Sequence, residues 1–251
     1  MKKIIILALI YFQSFVLSAS PYNDIIAQAN KAYTDGKYNN AIELYKQVVN
    51  NGYQSAQLYY NLGNAYFKNK NYPRAMLYLE KAKKLDPANP KIDFNIQVCN
   101  TKIIDKIEEL PQPFYRNWIN SFCLWFSMDV WARFSVVFLF LFVSFVAIYL
   151  MANPVRIRKA SFWASLLFLA IALTSGINAH SQYRGINQSR QAIIFEPTVN
   201  VKSSPDPNSQ DIFVIHEGTK VAITDKVGTW IQIQIANGSD GWIAETVVER
   251  I

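Results

Sequence analysis

The chain has 251 residues, 51% of them hydrophobic and 14% aromatic, with a formal net charge of +7, a composition rich enough in apolar residues to demand a search for membrane segments first. Residues 21–110 carry 12 basic and 9 acidic side chains and residues 190–251 carry 5 and 8, while the remaining 8 basic and 1 acidic side chains lie at the N-terminus and around two long apolar runs. Basicity therefore reports membrane topology, and a nucleic-acid partner is excluded on the distribution of charge.

The N-terminus, MKKIIILALIYFQSFVLSAS, places Lys2 and Lys3 before an apolar core from Ile4 to Leu17, followed by small residues at Ser18, Ala19 and Ser20. This is the pattern of a secretory signal peptide over residues 1–19, too short to span a bilayer comfortably.

Residues 20–110 read as a helical repeat domain. Residues 22–55 and 56–89 are self-similar at a period of 34, aligning Ala29 with Gly63, Asn30 with Asn64, Tyr33 with Phe67, Tyr38 with Tyr72, Ala41 with Ala75 and Tyr45 with Leu79. The second copy, YYNLGNAYFKNKNYPRAMLYLEKAKKLDP, resembles the tetratricopeptide repeat (TPR): Leu62, Gly63, Tyr66, Ala75, Ala82 and Pro87 carry the likeness. Small residues stand where paired helices approach closely, and stacking is obligatory because a single repeat cannot bury its own apolar face. A third helix is expected over residues 91–110, with Ile92, Ile96, Cys99, Ile103, Ile107 and Leu110 forming one apolar stripe that caps the stack. Stacked TPR hairpins imply a protein-binding groove, for which Asn30, Asn61, Asn64 and Lys91 are the candidate residues. Asn30, Asn61 and Lys91 also fall on three positions of the carboxylate-clamp subset, but Ile26 and Asn95 replace two of its cations, which removes most of the charge-assisted hydrogen bonding and favours a generic groove.

Pro111 and Pro113 open a linker, and residues 111–133 carry Trp118, Trp125 and Trp131 among Phe114, Tyr115, Phe122 and Phe126, the composition of an interfacial helix at the headgroup layer. Residues 134–152 and 160–179 are apolar runs that, at about 1.5 Å per residue, match the roughly 30 Å bilayer core. The loop between them, 153–159, holds Arg156, Arg158 and Lys159. Short loops rich in Lys and Arg stay cytoplasmic, so the hairpin tip points inward and both flanking domains lie outside. An exported N-terminus followed by two crossings gives the same orientation.

After a linker over 180–190, residues 191–251 change to strand-like alternation: TVNVK, IFVIHEGTKVAIT and TWIQIQIANGSDGWIA, with a hairpin signal at Asn237-Gly238. This segment resembles the bacterial SH3-like domain through Asn200-Val201-Lys202-Ser203, Gly218-Thr219-Lys220-Val221, Trp230 and Gly241-Trp242-Ile243. Phe213, Trp230 and Trp242 either form a ligand face or fill the core of a tiny barrel.

No arrangement of residues specifies catalysis. His216 begins a stretch, HEGTK, like a zinc-protease helix motif, but Lys220 stands where the second ligand belongs. No cofactor is expected. Cys99 and Cys123 are candidates for pairing in an oxidising compartment or for two buried thiols. The fold class is a multi-domain membrane protein: α-helical TPR hairpins of the α-α superhelix type, a two-helix transmembrane hairpin and a small all-β SH3-like barrel.

The order of these parts, together with the junction DFNIQVCNTKIIDKIEELPQPFYRNW, resembles the BatE-type, TPR-containing members of the Bacteroides aerotolerance (Bat) group. The resemblance implies a non-catalytic component of a bacterial envelope complex linked to oxygen or stress tolerance. Its implied partners are Bat proteins with von Willebrand factor A domains, a BatD-like membrane protein and, indirectly, a MoxR-type ATPase. The SH3-like domain adds peptidoglycan as an alternative ligand, and the bilayer itself is a partner. The orientation has its own test: a reporter active only in the cytoplasm, fused after Ile251, is expected to stay silent, and activity there would reverse the assignment.

Overall fold

A computed structural model describes residues 22–108, 110, 122–123, 125–188 and 190–251. The signal-peptide segment and most of the aromatic approach, including Phe114, Tyr115 and Trp118, lie outside the described residues. The chain divides into two compact units, one ending at Tyr53 and one beginning at Gln54.

The first unit holds α1 (Asn23–Thr34) and α2 (Tyr38–Asn50). Ala29 and Ala41 are fully buried, which lets the two helix backbones come together. The Tyr45 hydroxyl donates to Asn30 Oδ1 at 2.6 Å, and the rings of Tyr33 and Tyr38 meet edge to face at 5.5 Å across the turn. Gly36 takes φ 76° in that turn, a conformation glycine adopts without steric penalty.

The second unit repeats the hairpin as α3 (Ala56–Lys68) and α4 (Tyr72–Leu85). Ser55 caps α3 by accepting the Leu58 N–H, and Asn71 caps α4 by accepting the Arg74 N–H, each at 3.2 Å, which satisfies donors the helix itself leaves orphaned. Phe67 and Tyr72 reproduce the edge-to-face contact at 5.6 Å. One turn residue differs: Lys70 stands one period after Gly36 and is forced to φ 61°, where an L side chain is strained. Gly63 packs against α4 so closely that an added Cβ would meet Leu79 Cγ at 2.9 Å and its backbone N at 3.1 Å. The helix α5 (Pro90–Asn100) follows, with Ile92, Ile96 and Cys99 buried.

Here the structure corrects the expected cap helix over residues 91–110. The helix stops at Asn100, and Lys106 Nζ folds back onto the carbonyls of Asn100 and Ile103. Beyond it the chain turns over residues 101–104 and then alternates in burial: Ile103 is buried, Ile104 is exposed, Asp105 and Ile107 are half-buried, and Lys106 and Glu108 are exposed. The four-residue spacing of Ile103 and Ile107 fits one face of a strand as well as one face of a helix, and the barrel described below decides between them.

Two helices, α6 (Met128–Met151) and α7 (Val155–Gln188), are long and apolar enough to cross a membrane. They pack through Phe168, whose ring lies 5.8 Å from Phe138 and 5.2 Å from Phe145, and through Ser135 Oγ, which donates to Ala172 O at 3.1 Å. Leu139, Phe140, Val143 and Leu150 are left exposed on α6, the surface a lipid solvent favours. The expected loop 153–159 is shorter than its sequence suggests. Only Ala152, Asn153 and Pro154 separate the helices, and Pro154 stands just before α7, where its carbonyl accepts the Arg158 N–H at 3.1 Å. Arg156, Arg158 and Lys159 therefore sit exposed on the first turns of α7, with the Arg158 guanidinium 5.4 Å from the Tyr149 ring centroid. At its other end α7 runs through most of the expected linker 180–190. Residues 128–132, expected in an interfacial helix, belong to α6, and Trp131 is buried with its Nε1 donating to Cys123 O at 2.9 Å.

The C-terminal part is an antiparallel all-β sheet of SH3-like type. Its strands are β1 (Gln191–Ile194), β2 (Thr198–Lys202), β3 (Asp211–His216), β4 (Lys220–Val227), β5 (Trp230–Gln234), β6 (Asp240–Ala244) and β7 (Val248–Arg250), in spatial order β3-β2-β6-β5-β4-β1-β7 among the described residues. Alternation places Val201, Ile231, Ile233 and Ile243 in the core.

Two substitutions separate close packing from turn strain in the second hairpin. Gly63→Ala is expected to cost about 1–3 kcal/mol by overpacking against Leu79, whereas Lys70→Gly is expected to stabilise by about 1 kcal/mol by relieving the positive φ. Chemical denaturation of the full-length protein in detergent measures both, and a shift of the same sign for the two would contradict the reading.

Candidate functional site

Residues 103–108 and Leu110 lie against the barrel, and one carboxylate ties them to it. Asp105 Oδ2 accepts the His216 backbone N–H at 2.7 Å and the Thr219 hydroxyl at 2.6 Å, while Oδ1 sits 2.7 Å from His216 Nδ1. His216 is the last residue of β3, and Thr219 follows a turn in which Gly218 takes φ 86°. Ile103 covers that turn so tightly that a Cβ on Gly218 would lie 3.0 Å from it. Ile107 packs against the barrel core. Leu110 reaches the opposite hairpin, where its N–H donates to Ala236 O at 3.2 Å and its side chain lies over Gly238. The barrel is thus completed by residues far outside the expected boundary at 191. Burial works against the charged form of Asp105, but the hydrogen bonds from Thr219 and from the ring and backbone of His216 outweigh it and hold the carboxyl below its usual range.

A second contact joins helix α4 to the barrel. Glu80 is almost wholly buried and accepts from Lys220 Nζ at 2.7 Å. Lys84 Nζ donates to the carbonyl of Ile251 at 2.8 Å, and Arg74 and Lys81 each approach Glu249 to 3.9 Å. The Arg74 guanidinium also lies 5.4 Å from the Phe195 ring centroid. Behind these charges Tyr66 and Tyr78 stack in parallel at 5.5 Å. Burial, with help from the neighbouring Tyr66 and Glu249, pushes the Tyr78 phenol up to about 12, and burial also lowers the Lys81 ammonium. Glu80 dominates the joint, because a buried charge deprived of its partner costs far more than the solvent-screened contacts to Glu249.

The residues expected to line the TPR groove have the following positions. Asn30 accepts from Tyr45, Asn61 accepts from Gln57 Nε2 at 2.7 Å, and Asn64 accepts from Asn95 Nδ2 at 2.7 Å. Asn95 also donates to the Tyr60 hydroxyl at 3.0 Å, so it links α5 to α3 at the position where a clamp would carry a cation. Lys91 is exposed at the start of α5.

The three expected aromatic residues of the barrel do not share one face. Phe213 is cross-strand to Val201 and packs against the core, whereas Trp230 and Trp242 alternate with the buried Ile231 and Ile243 and lie on the outer face. Trp242 is cross-strand to Gln232 and Lys202, and Trp230 to Ala244, which makes the two indoles diagonal neighbours on adjacent strands. His216 is a strand residue engaged by Asp105. Both cysteines are free: Cys99 is buried, with its thiol pushed up to about 12 by burial, and Cys123 Sγ lies 3.0 Å from Asn178 Oδ1.

Sequence reasoning missed Asp105, Glu80 and Lys220. The alternation Ile103-Ile104-Asp105-Lys106-Ile107 was the signal for the first; nothing local marks the other two, which are 140 residues apart.

Comparison with known proteins agrees with the two module types. The tetratricopeptide repeat family profile matches residues 26–90, and the bacterial SH3 domain profile matches residues 197–249. No curated protein matches the chain. Among solved structures, the Sgt2 TPR domain from Aspergillus fumigatus is similar at 20% identity and TM-score 0.32 over 34% of this chain, which spans 56% of that domain's length. The Yersinia enterocolitica type III secretion chaperone SycD, in complex with a peptide of the translocator YopD, is similar at 18% identity and TM-score 0.31 over 63% of this chain and 98% of that one. PcrH from Pseudomonas aeruginosa is similar at 12% identity and TM-score 0.32 over 66% and 95%.

The Asp105 contact makes a signed prediction. A carboxyl held below its unfolded value stabilises at pH above that value, about 3.9, and loses this contribution as pH falls through the folded value. Asp105→Asn is expected to destabilise the protein at neutral pH by about 1–2 kcal/mol, the lower range for charge-assisted bonds because solvent partly screens the site. The difference from wild type should shrink as the pH falls below about 4. A pH-independent difference in melting would remove the carboxylate's charge from the account.

Proposed function

We propose that the protein is a non-catalytic adaptor of the bacterial inner membrane, part of a Bat-type envelope complex linked to oxygen or stress tolerance. In this reading the TPR hairpins bind another protein of the complex, with Asn61, Asn64 and Lys91 on the binding side, and the SH3-like domain stands beside them on the periplasmic face. The partners are Bat proteins with von Willebrand A domains and a BatD-like membrane protein. A MoxR-type ATPase acts indirectly, since the inner side offers little beyond Arg156, Arg158 and Lys159.

The observation that carries the reading is the joint between modules. Glu80 with Lys220, and Asp105 with His216 and Thr219, hold an interaction repeat and a barrel in fixed relation in a chain that also has two helices able to anchor it. Fixed geometry between recognition modules suits an adaptor, because a pre-organised pair binds without a further ordering cost. The Bat assignment rests on the order of modules and the junction sequence.

A second reading, a cell-wall receptor, is favoured by the outward-facing Trp230 and Trp242. Two half-buried indoles, diagonal on adjacent strands of the outer face, suit stacking against sugar or peptide.

Affinity purification of cross-linked full-length protein from membranes tests the first reading. Recovery of a protein with a von Willebrand A domain is expected, and its consistent absence would count against the Bat complex. Muropeptide binding to the full-length protein, abolished by Trp242→Ala, would instead support the receptor.

A further inference from the structure

We infer that a groove on the membrane hairpin is a binding site for one anionic phospholipid, with a phosphatidylglycerol-type headgroup. The inference takes α6 and α7 as membrane-spanning and is otherwise independent of the adaptor reading.

The groove measures about 500 Å³. Its floor is the contact of α7 with α6 at Gly176 and Ser135, where an added Cβ would approach Ser135 Oγ to 3.2 Å; the missing side chain is what gives the groove depth. Leu173 and Ile177 line one end, and His180, Ser181 and Arg184 line the other. Leu173, Ile177, His180 and Arg184 follow at intervals of four, three and four, so they form one stripe on α7. Leu173 and Ile177 are 58% and 67% exposed, too open for a pair buried by the protein alone.

The stripe changes chemistry where a bilayer does. About 20 helical residues fill the hydrocarbon core, so an α7 span entering near Ala160 leaves it near Ala179. Leu173 and Ile177 then lie at acyl depth, and His180, Ser181 and Arg184 at headgroup depth. Among the described residues no ion pair engages Arg184, and no side-chain hydrogen bond engages His180 or Arg184. A guanidinium offers a fork of donors matched to phosphate oxygens, and the Ser181 hydroxyl adds one more. A free phosphate ion would leave the apolar half of the groove unused. A zwitterionic lipid would fill that half but bring its own ammonium beside Arg184. An anionic phospholipid satisfies both halves.

The site also accounts for a basic residue at the end of the hairpin where the topology rule favours few. Arg184 works against the orientation set by Arg156, Arg158 and Lys159, and headgroup recognition gives it another use.

The test uses full-length protein in a nonionic detergent, titrated with phosphatidylglycerol, with phosphatidylcholine of the same chains and with glycerol 3-phosphate, and read by native mass spectrometry. Phosphatidylglycerol is expected to be retained about tenfold more tightly than phosphatidylcholine, the equivalent of about 1.4 kcal/mol. Arg184→Gln should abolish that preference while leaving phosphatidylcholine retention unchanged. Gly176→Leu, which fills the groove, should weaken both lipids, with circular dichroism confirming its helicity. Equal retention of the two lipids, an unaltered preference in Arg184→Gln, or glycerol 3-phosphate binding as tightly as the whole lipid would each overturn the site. Alkaline carbonate extraction of membranes separates the premise: release of the protein would refute the spans, whereas a retained protein without lipid preference refutes the groove alone.

Discussion

Within the second unit, one carboxylate sets the relation between the segment that follows α5 and the β part. Asp105 receives hydrogen bonds from a backbone amide and a hydroxyl and lies against an imidazole nitrogen, and the two isoleucines beside it, Ile103 and Ile107, go into the barrel. Burying Ile103 contributes about 1.5–3 kcal/mol and the half-buried Ile107 less, together more than the single backbone bond at Leu110. Apolar contact therefore supplies most of the affinity of the segment for the barrel, and Asp105 fixes its register: a one-residue slip would turn Ile104 inward and Asp105 out.

From this constraint the rest of the arrangement follows. With residues 103–108 held on the barrel and α5 ending only three residues earlier, α4 can meet β1, the C-terminus and the start of β4, where Lys220 pairs with Glu80. The surface contacts of Arg74 and Lys81 with Glu249 add little in solvent. The segment also leads on toward α6, so the tie at Asp105 stands between the recognition modules and the membrane hairpin.

Much of this was legible in the sequence, and the reasons for the rest are specific. The 34-residue period gave the hairpins because each aligned pair, such as Tyr33–Tyr38 and Phe67–Tyr72, makes the same local contact. The apolar runs gave α6 and α7 because length and composition suffice. The alternation of β5 and β6 gave their inward isoleucines, and the same period places Trp230 and Trp242 on the other face. The cap helix failed at Asn100 because Ile103 and Ile107, four apart, satisfy a helical stripe and a strand face alike, and only a barrel nearly a hundred residues later chooses. Helix ends at Val155 and Gln188 were hidden for a related reason: Arg156, Arg158, Lys159 and Arg184 look like loop residues by polarity but are good helix formers. Asn64 and Asn95 were visible as polar groove positions, while their hydrogen bond to each other depends on helix packing that no local pattern records.

Amide hydrogen exchange of the full-length protein measures the central claim most directly. The His216 N–H donates to the Asp105 carboxylate, and the Leu110 N–H donates to the carbonyl of Ala236. The account predicts that both amides are protected at neutral pH to an extent comparable with the β5–β6 ladder, and that Asp105→Asn speeds exchange at His216 and Leu110 together while the ladder keeps its protection. Exchange of both amides at unprotected rates in the wild-type protein would show that residues 103–110 do not bind the barrel, and the joint between the modules would fall with them.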